Sequence, residues 1–108
     1  MSGPELRPLC RREVRWLYRW EMKAAFPRAE RRSLGLILSM MARGNYQGWG
    51  LFRGGEVLGY AFVRLGPSYV LLDYLGVCQG KRDQGLGSAL LRALQERYAG
   101  SAGMLAEV

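Results

Sequence analysis

Histidine is absent from the 108 residues of this chain, and cysteine is scarce, with only Cys10 and Cys78. Without histidine, catalysis by an imidazole base and metal sites built on imidazole ligands are both excluded. The two cysteines lie far apart and form no C-x-x-C motif, so they predict neither a zinc site nor a disulfide framework. We expect reduced thiols in a cytoplasmic protein that uses no metal.

Long hydrophobic runs are also missing. No segment reaches the roughly 18 consecutive apolar residues of a membrane span, and the N-terminal segment MSGPELRPLCRR contains no apolar signal-peptide core. We therefore expect no contact with a membrane. Hydrophobic residues still make up 49% of the chain, which predicts one small globular domain over residues 1–108.

The net charge of +7 is unevenly distributed along the chain. Residues 1–43 contain ten Lys or Arg against four Glu, whereas residues 44–108 contain six against five acidic residues. A basic segment can indicate nucleic-acid binding, but no nucleic-acid-binding motif accompanies it, so nucleic acid is the least favoured partner. The first predicted helix has a cationic stripe, which is either a solvated face or one side of a site for an anionic acceptor: Arg12, Arg15, Arg19 and Lys23.

Two helices are predicted in the first half of the chain. Apolar residues recur at steps of three and four between positions 11 and 26, and Pro27 ends this pattern. A second helix is predicted over residues 28–43, followed by the stop signal Gly44-Asn45. The predicted buried faces are Val14, Leu17, Tyr18, Met22 and Ala25 in the first helix and Leu34, Ile37, Leu38 and Met41 in the second.

The pattern changes to short strands after residue 45. Strands are predicted over 46–52 and 57–65, and the Gly54-Gly55 pair between them is typical of a β-hairpin. The nearly continuous apolar run YVLLDYLGV over 69–77 predicts a central strand. A helix over 85–98 and a strand over 103–108 complete an α/β (α+β) layout in the order helix, helix, strand, strand, strand, helix, strand.

The turn between the central strand and the last helix is the most informative feature of the sequence. Amides in the first turn of a helix have no internal partners, and the helix dipole favours an anion there. Gly85 and Gly87 remove side chains that would keep a ligand from the backbone, and Lys81 and Arg82 add positive charge. The turn therefore predicts binding of a phosphate-containing ligand.

Two common phosphate-binding motifs do not fit this turn. A Walker A motif needs four residues between its glycines, but three separate Gly76 from Gly80, and Lys81 is followed by Arg82. A dinucleotide fingerprint needs a small residue where Leu90 stands. Nucleotide hydrolysis and hydride transfer are therefore not favoured.

The remaining pattern, Arg82-x-x-Gly85-x-Gly87 at the end of the central strand, resembles the acetyl-CoA motif of the GNAT superfamily of N-acetyltransferases. The predicted order of elements is similar to the N-terminal two thirds of that family's fold. The resemblance implies a single GNAT-like domain over residues 1–108 whose C-terminal part is incomplete. It also implies an enzyme that moves an acetyl group from acetyl-CoA to an amine by direct transfer.

The resemblance assigns particular residues to the cosubstrate. The backbone of the central strand would pair with the pantetheine arm of acetyl-CoA, and the amides of the turn would hold its pyrophosphate. In the family a β-bulge opens the slot for acetyl-CoA, and Gly76 is the predicted bulge site because glycine weakens a strand. The implied binding residues are Leu75 and Val77 on the strand and Arg82, Asp83, Gln84, Gly85, Leu86, Gly87 and Ser88 in the turn and helix.

Direct acetyl transfer needs a base for the amine and a donor for the oxyanion, but no protein nucleophile. A backbone amide near Leu75 is the predicted oxyanion donor. Asp73 is the first candidate for the base and Glu107 the second, since apolar neighbours would raise the pKa of a carboxyl group into a useful range. The alternative for Asp73 is a hydrogen-bonded acid at a strand end without a catalytic role. In many family members the general acid is a tyrosine on a later helix, and no residue follows Val108 to provide it.

Three functions and one assembly state are left open by these patterns. Direct acetyl transfer to a small-molecule or peptide amine is the leading interpretation, followed by a CoA-binding module that is catalytically incomplete. A basic nucleic-acid-binding module is the third, and it would bind with a steep salt dependence. Unless the natural chain continues, the unpaired edge of the strand from Met104 to Val108 predicts a homodimer.

Overall fold

The fold is organised around one five-stranded sheet. The computed structural model describes residues 3–82, 84–100 and 104–106. The first four strands are antiparallel neighbours, and the fifth pairs with the fourth in parallel. In the order in which they lie side by side, the strands are β1 (Glu5–Pro8), β2 (Tyr46–Arg53), β3 (Glu56–Leu65), β4 (Val70–Val77) and β5 (Met104–Ala106).

Helices cover both faces of this sheet. The predicted hairpin, central strand and last helix are confirmed, with boundaries that differ by no more than about one residue. No helix among the described residues is long and apolar enough to cross a membrane. The helical elements are α1 (Arg11–Leu17), a π-helical segment (Tyr18–Met22), α2 (Lys23–Ala25), a 3-10 turn (Arg28–Glu30), α3 (Leu34–Arg43) and α4 (Leu86–Arg97).

The N-terminal edge strand β1 was not predicted, and the predicted elements follow it in the predicted order. This strand is only four residues long and ends in Pro8, and its residues are mostly exposed. It therefore lacks the alternation of apolar and polar residues by which a strand is recognised. Proline is tolerated because β1 lies at the edge of the sheet and pairs on one side only, with β2.

The first predicted helix is confirmed as a continuous helical stretch whose middle is π-helical. Ala25, by contrast with the prediction, is exposed in the last turn. The π-helical segment also buries Glu21, of which only 8% is exposed. The spacing of apolar residues in the sequence does not indicate that this glutamate is buried. The buried face otherwise contains the predicted Val14, Leu17, Tyr18 and Met22.

The second helix begins later than predicted. Residues 28–33 do not belong to it, because Arg28–Glu30 forms a 3-10 turn and Arg31 has an extended backbone with φ −112° and ψ 126°. The helix α3 begins after Ser33, whose Oγ accepts a hydrogen bond from the amide of Leu36 at 3.2 Å. Serine is a preferred N-cap residue, so the predicted start at residue 28 missed a cap that the sequence contains.

A β-bulge lies on β4 at Asp73. Phe62 of β3 is opposite Tyr74, and the next residue, Val63, is opposite Leu72, which leaves Asp73 without a partner in the ladder. An extra residue of this kind changes the face to which a side chain points. It therefore allows Asp73 and its neighbour Tyr74 to face the same side of the sheet.

The prediction of a β-bulge at Gly76 is wrong, and a glycine is needed at this position for a different reason. Gly76 is in register with Tyr60 of β3 in a regular part of the ladder. A Cβ atom at Gly76 would collide with the hydroxyl group and the ring of Tyr60. The absence of a side chain is therefore required by the tyrosine ring that lies across this position, and not by an irregularity in strand pairing.

Candidate functional site

The C-terminal half of β4 has an edge that faces away from β3. The amide of Cys78 donates a hydrogen bond to the carbonyl of Leu58 on β3 at 2.9 Å. Because backbone groups alternate in direction along a strand, the N–H and C=O groups of Leu75 and Val77 point to the opposite edge. The pairing of β5 with β4 ends at Leu72 among the described residues, so these groups lie beyond it.

The start of α4 presents backbone amides at the end of this strand. Gly85 is the N-cap residue and has φ 71° and ψ 15°, a left-handed conformation that favours glycine. Gly85 itself has no side chain with which to cap the helix. The amide of Ala89 makes the first bond of the helix, to the carbonyl of Gly85 at 3.1 Å, so the amides of Leu86, Gly87 and Ser88 have no partner within the helix.

A cavity of about 380 Å³ joins the strand edge to the helix start. Among the described residues, a Cβ atom on Gly87 would have only Val77 Cγ2 within contact range, at 3.7 Å, so the second glycine of the motif borders open space. Six of the residues predicted to bind acetyl-CoA line this cavity: Leu75, Val77, Arg82, Gly85, Leu86 and Gly87.

The other predicted binding residues are placed differently. Gln84 and Ser88 are exposed and do not line the cavity with their side chains. Asp83 lies outside the described residues, as does Glu107, the second candidate for the base. The Lys81 ammonium group forms an ion pair with Glu56 at 2.8 Å, so its charge is partly compensated.

A second cavity, of about 670 Å³, lies beside the first. Asp73, Tyr74, Arg31 and Arg32 are among its lining residues, and Phe26 lines both cavities. Consecutive residues of β4 thus border first one cavity and then the other. This arrangement brings a site with open backbone amides next to a site with charged and hydroxyl groups.

The carboxylate of Asp73, in the wall of this second cavity, forms hydrogen bonds with Arg32 and Tyr46. Its Oδ2 accepts a hydrogen bond from Arg32 Nε at 2.7 Å and its Oδ1 one from Arg32 Nη2 at 3.2 Å, and Oδ2 also accepts from the Tyr46 hydroxyl. Burial alone would raise the pKa of Asp73, but the hydrogen bonds from Arg32 and Tyr46 and the charge of Arg32 outweigh it and lower the pKa. The predicted rise of the Asp73 pKa is therefore wrong in direction, because the neighbours are not only apolar.

Hydrogen bonds with two tyrosine hydroxyls, one donating and one accepting, hold the segment before α3 against the first helix and β4. The Tyr18 hydroxyl donates to the carbonyl of Arg32 at 2.7 Å, and the amide of Arg32 donates to the Tyr74 hydroxyl at 2.7 Å. Arg31 donates to the carbonyl of Phe26 at 2.8 Å and to the Tyr18 hydroxyl at 3.2 Å. The bonds of the Tyr18 hydroxyl to Arg31 and Arg32 were not predicted; the missed signal is that a buried tyrosine hydroxyl needs a polar partner.

Comparison with known proteins agrees with this architecture. A search of the curated proteins finds no match. Among solved structures, the chain is similar to the ribosomal-protein-S18-alanine N-acetyltransferase from Escherichia coli, with a TM-score of 0.78 and 24% identity over 98% of this chain and 67% of that one. It is similar to a GCN5-related N-acetyltransferase from Ralstonia eutropha JMP134, with a TM-score of 0.71, 23% identity and coverage of 98% and 84%. It is also similar to the ribosomal-protein-alanine N-acetyltransferase from Brucella melitensis biovar Abortus 2308. There the TM-score is 0.75 and the identity 13%, over 98% of this chain and 80% of that one.

At these identities the structural likeness shows the fold. The sequence itself carries the family assignment, since the model of the Acetyltransferase (GNAT) family matches residues 11–108 and so includes every element except β1. The chain belongs to the GNAT family of acetyltransferases.

Proposed function

We propose that this chain transfers an acetyl group from acetyl-CoA directly to an amine, and that the two adjoining cavities are its donor and acceptor sites. The observation that carries the proposal is the junction of the open β4 edge with the first-turn amides of α4, in one cavity of about 380 Å³. A strand edge suits the amide groups of a pantetheine arm, and free helix amides suit a pyrophosphate. Together they match the order of groups along acetyl-CoA.

The donor site uses backbone groups more than side chains. The outward N–H and C=O groups of Leu75 and Val77 pair with the pantetheine arm as a further strand would. The amides of Leu86, Gly87 and Ser88 hold the pyrophosphate, and Arg82 adds positive charge. The absence of side chains at Gly85 and Gly87 supports this assignment, because the backbone can be approached closely there.

The thioester supplies an activated acyl carbon, and the reaction needs no covalent enzyme intermediate. The amine nitrogen forms the new C–N bond while the C–S bond breaks, the amine loses a proton to a base, and the CoA thiolate takes up a proton. The outward amide of Leu75 lies where the donor and acceptor cavities adjoin and stabilises the oxyanion on the acyl carbon. Phe26, which lines both cavities, excludes water from the junction.

Two carboxylates remain candidates for the base. Asp73 lines the acceptor cavity, but its lowered pKa and its bonds to Arg32 and Tyr46 make it a weak proton acceptor. We therefore assign Asp73 to positioning Arg32 in the acceptor wall and propose Glu107 as the base. A Glu107→Gln variant that retains the wild-type kcat and its pH profile would contradict this assignment, and an Asp73→Asn variant that loses the acid-side limb of the profile would restore Asp73 as the base.

The donor site is tested at Gly87. We expect Gly87→Asp to weaken acetyl-CoA binding about 100-fold, because the new carboxylate would lie against the pyrophosphate. Gly87→Ala is the matched control: its Cβ makes only an ordinary contact of 3.7 Å with Val77 and adds no charge, so it should weaken binding far less than Gly87→Asp does. Isothermal titration with acetyl-CoA measures both. Equal affinities for the two variants would show that the phosphates bind elsewhere.

A CoA-binding module without catalysis is the second candidate function. Acetyl transfer and CoA binding without catalysis are distinguished by an assay of CoA release with a panel of amines, run beside the titration. Because the structural neighbour from Escherichia coli is named for an alanine of a ribosomal protein, the panel begins with peptides that have an N-terminal alanine. Tight acetyl-CoA binding with no CoA release from any amine would favour the module.

Three earlier expectations remain predictions beside this function. The acceptor is a small-molecule or peptide amine, and Arg31 and Arg32 in the acceptor wall favour one that also has a carboxylate or phosphate. Two copies associate through the sheet edge formed by β5, which light scattering would detect as a dimer. The protein acts in the cytoplasm.

A further inference from the structure

A third cavity, of about 530 Å³, lies apart from the donor and acceptor sites. It opens between α1, the β2–β3 hairpin and the loop that follows β4. Within the part of the chain that the structure describes, it shares no lining residue with the acceptor cavity and only Lys81 with the donor cavity. Its volume falls within the range of small-molecule sites, roughly 300–1,000 Å³. Its walls expose more apolar than polar surface, through Leu9, Trp16, Leu17, Phe52 and Val57, and they also include the basic Arg12 and Lys81.

One buried carboxylate, that of Glu21, lines this apolar cavity. Glu21 comes from the π-helical segment, and only 8% of the residue is exposed. Its Oε1 accepts a hydrogen bond from the amide of Gln79 at 3.0 Å. Among the residues that the structure describes, Glu21 has no ion-pair partner. A buried carboxylate with one hydrogen bond has unused acceptor capacity, and it is most stable opposite a cation.

The other acidic groups of the cavity are compensated. Glu13 is paired with Arg7 at 2.9 Å, and Glu56 is paired with Lys81 at 2.8 Å. The wall near Glu21 also contains the buried thiol of Cys78, whose pKa is raised to about 12 by burial and then by the nearby carboxylates. The thiol therefore stays neutral near pH 7 and offers no charge to Glu21.

We propose that this cavity binds a small organic ammonium ion that has an apolar, ring-sized body. The ammonium group pairs with Glu21, and the body packs between Trp16 of α1 and Phe52 and Val57 of the sheet. An ammonium ion supplies the N–H donors and the charge that the carboxylate lacks, and the apolar walls cover the remainder of the ligand. The proposal concerns binding alone and does not depend on acetyl transfer.

The probe must not be an acceptor for acetyl transfer. N,N-dimethylphenethylamine has a cationic tertiary amine with no acetylatable N–H, and phenethyl methyl ether is its neutral counterpart of similar shape. Titration of the full chain by calorimetry, without acetyl-CoA, measures both affinities. We expect the amine to bind at least about tenfold more tightly than the ether, which corresponds to one charge-assisted contact. Two-dimensional amide NMR should show the Gln79 amide shifting with the amine, because that amide bonds to Glu21.

Two kinds of variant locate the site. Glu21→Gln keeps an oxygen for the Gln79 amide but removes the charge, so the amine should lose its advantage over the ether. Gly55→Trp fills the cavity from its rim without backbone strain, because Gly55 has no positive φ and a Cβ there has open space. It should abolish binding of both compounds, and it keeps the proposal testable if Glu21→Gln does not fold.

The two exposed tryptophans of the first helix provide a matched control. Trp16 is 48% exposed and lines the cavity, whereas Trp20 is 54% exposed and does not. Trp16→Ala should weaken the amine severalfold and Trp20→Ala should leave it unchanged. Equal affinity of amine and ether, a preference that survives Glu21→Gln, or binding that is indifferent to Gly55→Trp would each overturn the proposal.

Discussion

The two faces of the sheet are built from different side chains. On the face covered by the first helix and α3, the core is aromatic and contains four tyrosines, among them Tyr46, Tyr60 and Tyr74. On the face covered by α4, the core is mainly aliphatic, with Leu58, Leu90 and Leu94 fully buried. One face therefore has several hydroxyl groups that need partners, while the other is held mainly by packing, with a hydrogen bond from Trp49 Nε1 to the Tyr98 hydroxyl at 2.8 Å.

Each face of the sheet supports a different one of the two cavities beside β4. Hydroxyl groups on the aromatic face hold Arg32 and Asp73, which line the proposed acceptor cavity. Leucines on the aliphatic face anchor α4, whose first turn presents amides to the proposed donor cavity. The acceptor wall thus depends on polar contacts that have exact geometry and respond to pH, and the donor site depends on a helix that apolar burial keeps in place.

The largest effect is expected from a cavity in the aliphatic face. Leu90 of α4 is completely buried, so Leu90→Ala should lower the free energy of unfolding by about 3 kcal/mol, through lost burial and a residual cavity. Urea unfolding measures this. Leu90→Met, which conserves volume, is the control and should cost less than about 1.5 kcal/mol. An Ala variant as stable as the Met variant would show that packing on this face is loose.

The second effect concerns the ion pair on the aromatic face. Asp73→Asn removes the charge that compensates Arg32 and should lower the free energy of unfolding by about 2 kcal/mol at pH 7. Conversion of Tyr46 to Phe removes only one of the hydrogen bonds to Asp73 and should cost less, about 1 kcal/mol. A larger loss for Tyr46→Phe than for Asp73→Asn would mean that the hydroxyl, not the ion pair, holds this wall.

The same pair predicts a pH dependence of stability. The pKa of Asp73 is lower in the folded chain than the unfolded value of about 3.9, so the unfolded chain binds more protons between the two values. The stabilisation is complete above about pH 5 and is lost as the pH falls through the folded pKa. Unfolding curves recorded from neutral to acid pH should therefore show a shallower acid decline for Asp73→Asn than for the natural chain. Parallel declines would exclude Asp73 as a source of acid sensitivity.

Most of the fold could be predicted from the sequence because the periodic patterns are long. The strand run over 69–77 and the leucine spacing of α4 specify their elements locally. The edge strand β1 could not be predicted in this way, since four mostly exposed residues acquire strand geometry only by pairing with β2. The late start of α3 was predictable only in part. Ser33 is a local signal, but the extended backbone before it depends on tyrosines that are distant in sequence.

The donor side of the site was more predictable than the acceptor side. Glycines at the start of α4 act through the local backbone, so their spacing in the sequence is informative. The contacts of Asp73 come from Arg32 and Tyr46, which are remote in sequence and meet it only because a bulge turns its side chain to their face. No local pattern specifies that bulge, and the direction of the Asp73 pKa shift depends on it.

The smallest effect tests whether hydroxyl groups on the aromatic face stabilise the chain only when they have partners. Tyr60 is 1% exposed, and its hydroxyl oxygen has no hydrogen-bond partner among the described residues. Tyr74 has a hydroxyl that accepts from the Arg32 amide at 2.7 Å. We therefore expect Tyr60→Phe to raise the free energy of unfolding by up to about 1 kcal/mol, because it removes an unsatisfied buried group.

Tyr74→Phe, the matched variant, should lower the free energy of unfolding by about 1–2 kcal/mol, because it leaves the Arg32 amide without its acceptor. Urea unfolding of both variants at the same pH gives the two signs directly. Since the substitutions are chemically identical and both rings are buried in one core, opposite signs can arise only from the partners of the hydroxyl groups. A loss of stability in Tyr60→Phe equal to that in Tyr74→Phe would show that the Tyr60 hydroxyl has a hydrogen-bond partner in solution. Tyr60 would then be one more hydroxyl group whose bonds organise the aromatic face, in contrast to the packing that organises the aliphatic face.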